Sequence, residues 1–140
     1  MRAGLRAGIS LTLAVSGLVH AELYVHGYRF VPTVGPAFLA QASVFIALAI
    51  LIALGGPRWL QLLAAVGAGA SLAAFALSRT VGFTGFVEHG WQPAPQTVVA
   101  VVAEVLTVAL CGVSLLPVRR GAPTGLAEQA PAGQHEKRPV

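Results

Sequence analysis

Read from its N-terminus, the chain alternates long apolar runs with short stretches that hold its polar and charged side chains. The runs cover about residues 5–24, 36–54, 60–81 and 97–118. Each is close to the ~20 residues that a helix needs to cross a bilayer. None alternates with period two, and each is too long for a barrel strand, so a transmembrane β-barrel is excluded. Gly55, Gly56 and Pro57 punctuate the end of the second run, and Pro93 and Pro95 precede the fourth. The pattern predicts an all-α fold, a four-transmembrane-helix bundle over residues 1–118. Residues 119–140 are rich in Ala, Gly and Pro, lack an apolar period and read as a disordered cytoplasmic tail.

Composition strengthens this reading. Of 140 residues, 56% are hydrophobic and only 10% are charged. A soluble domain carries about a quarter charged residues, and a disordered chain needs low hydrophobicity, so both classes are excluded. The net charge of +4 could suggest nucleic acid, but the basic residues are scattered between apolar runs and form no patch, so no nucleic-acid partner is expected. They fit a topological role instead. Arg2, Arg6, Arg58, Arg119 and Arg120 fall on one side of the predicted spans, and only Arg29 and Arg79 on the other. The positive-inside rule then puts both termini in the cytoplasm of a multi-pass plasma-membrane protein. Tyr24, Tyr28, Phe30, Phe83, Phe86 and Trp91 form an outer aromatic belt on this topology, and Trp59 an inner one. A rival reading takes Val19-His20-Ala21 as the end of a cleaved secretory signal. The aromatic continuation of the run and the three further spans favour a retained first helix instead. The lone cysteine, Cys111, lies in an apolar run and reads as a packing residue.

Polar residues at lipid depth are costly and call for a reason. Glu104 lies roughly 10 Å inside the fourth span at 1.5 Å per residue. It belongs to a stripe with Thr97, Thr107, Cys111 and Ser114, which predicts a face turned into the bundle. Thr12, Ser16, His20 and Tyr24 make a similar stripe on the first helix, and the second offers Gln41 at nearly the depth of Glu104. The third carries small residues, Gly67, Ser71, Ala74 and Ser78, in a pattern that reads as close-packing glue. Three helices therefore place His20, Gln41 and Glu104 in one layer. The predicted pocket is His20, Tyr24, Gln41 and Glu104, with Tyr28, Arg29, Glu88 and His89 at its mouth.

Four chemistries suit these residues. The plainest is a neutral Glu104, hydrogen-bonded to His20 or Gln41, that only fastens helices. The second is a proton- or substrate-handling site built on Glu104 and His20. The third is zinc or copper held by donors among His20, His26, His89, Glu22 and Glu88, whose spacing is not diagnostic. The fourth is haem between His20 and His89. No cofactor is predicted from these patterns. His135, in the tail, reads as a solvated residue. Nucleophile triads and phosphate-binding loops are absent, and Gly67-Ala68-Gly69 lies inside a span.

The stretch LVHAELYVHGYRFVPTVGPAFLAQA, followed by GFTGFVEHGW and then Glu104, resembles small four-helix membrane proteins common in high-GC actinobacteria, a group without a settled activity. The resemblance covers about residues 5–118 and implies that His20, Tyr24, Tyr28, Arg29, Pro32, Gly35 and Glu104 matter. A looser similarity is to DoxX-like four-helix proteins, some of them linked to membrane redox or quinone-associated systems. Those often carry an acid early in helix two, where this chain has Gln41. The expectation is a small integral plasma-membrane protein with an outward-facing His/Glu pocket, acting as a binding or accessory subunit rather than an enzyme. The alternatives are a proton-coupled transporter working as an oligomer and a DoxX-like oxidoreductase component. Beyond the lipid bilayer, the expected partners are further copies of the chain or a larger membrane complex.

Overall fold

The computed structural model describes residues 2–82, 87, 90 and 93–116. Four helices account for most of them: α1 (Arg2–His26), α2 (Val34–Ala53), α3 (Trp59–Arg79) and α4 (Gln96–Leu115). The described residues contain no strand, so the fold is the all-α four-helix bundle that the apolar pattern predicts. All four helices are long and apolar enough to cross a membrane. The fourth ends at Leu115, earlier than the apolar run, because Leu116 turns to an extended conformation just before Pro117. Glu88, His89, Phe83, Phe86, Trp91 and the tail from 119 lie outside the described residues.

Short links make sequential helices antiparallel, so the bundle has two ends. One, here called the base, holds the α2–α3 link, the start of α1 and the end of α4. At this link Gly55 takes φ 91°, a left-handed conformation that glycine adopts without steric cost. The Gly56 N–H donates to Leu51 O at 2.9 Å and the Gly55 N–H to Ile52 O at 3.0 Å, the Schellman pattern that closes a helix C-terminus. Arg58 then donates from Nη2 to Ser114 O at 2.7 Å, placing a cation on the terminal carbonyls of α4. The other end, the mouth, holds the α1–α2 link and the start of α4.

Helix α1 packs along both α2 and α4, and α3 packs along α4. Helices α2 and α3 touch only sparsely although they follow one another in the chain. The base half is filled by an apolar cluster of Ile9, Leu13, Phe45, Leu48, Ala49, Ile52, Leu60, Ala64, Ala68 and Cys111. Gly67 gives Phe45 its room, since a Cβ there would stand 3.1 Å from the ring. Two hydrogen bonds tie α4 to its neighbours at this level. The Thr107 and Thr12 hydroxyls lie 2.7 Å apart, and Ser114 Oγ donates to buried Gln61 Oε1 at 2.8 Å. Side-chain hydrogen bonds of this kind supply cohesion where lipid provides no water to exclude.

Candidate functional site

Above the apolar cluster the four helices meet on one carboxyl group. Glu104 of α4 is 2% exposed. Its Oε1 accepts hydrogen bonds from Ser16 Oγ of α1 at 3.0 Å, Gln41 Nε2 of α2 at 2.8 Å and Ser71 Oγ of α3 at 2.8 Å. Gln41 Nε2 also donates to Ser71 Oγ at 2.8 Å, so the amide spends both its protons inside the cluster. His20 Nε2 stands 3.9 Å from the same carboxyl oxygen. One acidic side chain thus joins all four helices, at about the same distance from the mouth along each of them.

The histidine is oriented by its own helix. His20 Nδ1 lies 2.8 Å from Ser16 O, and a carbonyl can only accept, so Nδ1 carries a proton. In the neutral form of the ring, Nε2 is then the acceptor and faces Glu104. The Phe38 ring packs edge-on against the imidazole at 5.1 Å between centroids, and Tyr28 tilts against Phe38 at 5.0 Å. Tyr28 reaches this place because the Tyr28–Phe30 turn folds back onto the start of α2. The fold-back requires Gly35, where a Cβ would come within 2.5 Å of Tyr28 O.

A cavity of about 140 Å³ opens beside this cluster, towards the mouth. Glu104, His20, Gln41 and Ser71 form its polar wall. Phe38, Phe75, Leu23, Val34, Ala74 and Ala100 supply much of its apolar wall, and Tyr28 and Arg79 border it nearer the mouth. Arg79 lays its guanidinium over Phe75, 4.8 Å from the ring centroid. Helices α2 and α3 make few direct contacts, and beside the cavity Gln41 bridges them by its hydrogen bond to Ser71.

The structure brings His20, Gln41 and Glu104 together, as their matched depths suggest. Tyr24 is half-buried and does not line the cavity. Leu23, one position earlier, does so, because the two neighbours point about 100° apart on a helix. Tyr28 belongs to the cavity wall itself. Arg29 is exposed and stacks on Phe30 at 4.6 Å, away from the cavity. Glu88 and His89 lie outside the described residues. Of the metal-donor set, Glu22 and His26 are exposed. Glu22 accepts from Gln96 Nε2 at 3.2 Å, while His26 Nδ1 bonds Glu22 O at 3.0 Å. His20 is buried apart from them in the Glu104 cluster, and no three His, Cys, Asp or Glu side chains converge among the described residues.

Two contributors go beyond the sequence reading. Ser71 was expected as packing glue and is a direct donor to Glu104. Its signal was its depth, since it lies about as far from the end of α3 as Glu104 does from the start of α4. Phe38 carries no polar signal at all. No family model, curated protein or solved structure matches the chain.

Proposed function

We propose that the chain is an integral plasma-membrane protein, with both termini cytoplasmic, that binds a small ligand in the cavity beside Glu104. The observation that carries this reading is a buried carboxyl group, shared by four helices, on the wall of a ligand-sized space. A carboxyl used only as a fastener does not require an adjoining cavity. An apolar space with a few convergent polar groups is the common form of a small-molecule site. Arg58 at the base, with Arg2 and Arg6 in the first two turns of α1, supports a cytoplasmic base and an outward mouth. The close-packed apolar cluster at the base supports a binding protein over a transporter, because a transporter needs a second route to the site. Self-association or docking on a larger membrane assembly fits the small size of the bundle.

The reading is tested by ligand-dependent stability of the purified full chain in a bilayer mimetic. Among monocyclic compounds that fit the cavity, a binder present at a hundred times its Kd raises the unfolding free energy by about 2.7 kcal/mol. Ala74→Leu, which fills the cavity from α3, removes that response. If no compound of this size stabilises the chain, or if the filled variant responds equally, the pocket is not a ligand site. Single cysteines introduced at exposed Thr33 and Leu54, at opposite ends, report topology by labelling from either side of the membrane, with buried Cys111 as the silent background.

A further inference from the structure

At the inner end of the cavity, where Glu104, His20, Gln41 and Ser71 meet, the hydrogen-bond chemistry is one-sided, and Arg79 lines the cavity nearer the mouth. His20 donates through Nδ1 to Ser16 O, which leaves Nε2 of the neutral ring as an acceptor. Glu104 receives its three donors on Oε1, and among the described residues Oε2 has no hydrogen bond. Gln41 donates to Oε1 and to Ser71 Oγ, and Ser71 donates its one proton to Oε1. Glu104 Oε2 and His20 Nε2, on side chains 2% and 5% exposed, therefore accept from no donor among the described residues and are left to a ligand. The rings of Tyr28, Phe38 and Phe75 also line the cavity, Phe75 with the Arg79 guanidinium over it.

We infer that the cavity takes a small apolar primary amine, bound as its ammonium ion. The inference rests on the ligand-binding reading above and names the ligand class. An ammonium group has protons for both acceptors, brings a full positive charge to Glu104, which no Lys or Arg among the described residues pairs with, and is attracted by aromatic rings. The proton balance closes by either route of entry. An amine arriving as ammonium from water pairs with the carboxylate directly. A neutral amine arriving through the bilayer takes up the proton of a carboxylic acid at Oε2, and the same ion pair results. Size sets the body of the ligand. A cavity of about 150 Å³ accommodates benzene, and this one measures about 140 Å³. The body is a single six-membered ring or its aliphatic equivalent.

Benzylamine, benzyl alcohol and benzoate share that body and differ in the head group. Their affinities for the full chain in nanodiscs, measured by NMR titration, decide the matter, with ligand-free nanodiscs as the partition control. Benzylamine is expected to bind about tenfold or more tighter than benzyl alcohol, the equivalent of about 1.4 kcal/mol, and benzoate to bind weakest. In Glu104→Gln the amine loses this advantage while the Kd for benzyl alcohol stays within about threefold. The three-probe order in the unsubstituted chain is decisive alone, should the variant not fold. Benzyl alcohol equalling benzylamine, or benzoate binding tightest through Arg79, overturns the amine assignment and leaves the pocket standing. If none of the three binds, the pocket reading itself fails.

Discussion

Around Phe45 the helices close on small and apolar side chains. One turn along the same helix, around Gln41, a cavity begins and α2 reaches α3 through the Gln41–Ser71 hydrogen bond. The two halves face the same difficulty, since lipid is as apolar as leucine and gives helices little reason to associate. The base answers with close contact. Ala64, Ala68 and Gly67 on α3 let Phe45 and the core residues of α2 approach, and one hydrogen bond each to α1 and α3 fastens α4. The mouth half answers with reach. Glu104, Gln41 and His20 are long enough to meet between the helices, so hydrogen bonds bridge α2 to α3 and α4, while α1 stays close to α2 at Gly17. Fastening by long polar side chains leaves room between the helices, and fastening by small ones does not. The cavity is thus a product of how this half is held together.

This contrast can be broken at named residues. The largest effect is expected from Glu104→Ala, which removes the shared acceptor and leaves the donors of Ser16, Gln41 and Ser71 without a partner. Such a buried loss costs about 2–4 kcal/mol, read by reversible unfolding in mixed micelles, and a change below about 1 kcal/mol would mean that the crossing does not hold the mouth half. Phe45→Ala comes next, at about 3 kcal/mol, the low end for the void left by a buried phenylalanine. Because Phe45 belongs to the base, small-probe binding in the cavity should survive this substitution within about threefold. Loss of binding would show that the halves are not separable. Ser71→Ala is the mildest, at about 0.6 kcal/mol, the average for a side-chain hydrogen bond between membrane helices. It sharpens the contrast if it nonetheless changes ligand affinity more than Phe45→Ala does.

Much of this was open to sequence reasoning because a membrane fixes depth. Each span starts and stops near the same planes, so counting residues from the helix ends placed His20, Gln41 and Glu104 in one layer before any packing was known. The helical period likewise turned Thr97, Glu104, Thr107 and Cys111 inward, and all four are buried. Other features carry no such marker. A serine at lipid depth can satisfy itself on its own helix, as Ser43 does on Leu39 O at 2.9 Å, so the depth that Ser71 shares with Glu104 does not by itself show that it reaches the carboxyl group. Tyr24 and Leu23 differ by a rotation that depends on how α1 turns against its neighbours, and only packing sets that. The cavity was the least legible feature, since it arises from the sparse contact of α2 with α3, and Phe38, which ties Tyr28 to His20, looks like any lipid-facing apolar residue.

The central claim is that Glu104 is buried and shared by donors from three other helices. The chain contains five acidic residues, all glutamate, so side-chain carboxyl 13C labelling of glutamate gives five signals, and Glu104→Gln assigns the one that matters. That signal should be untouched by a water-soluble paramagnetic agent that broadens Glu22, and it should shift in each of Ser16→Ala, Gln41→Leu and Ser71→Ala. A Glu104 signal broadened as strongly as that of Glu22, and indifferent to substitutions on α1, α2 and α3, would contradict the account.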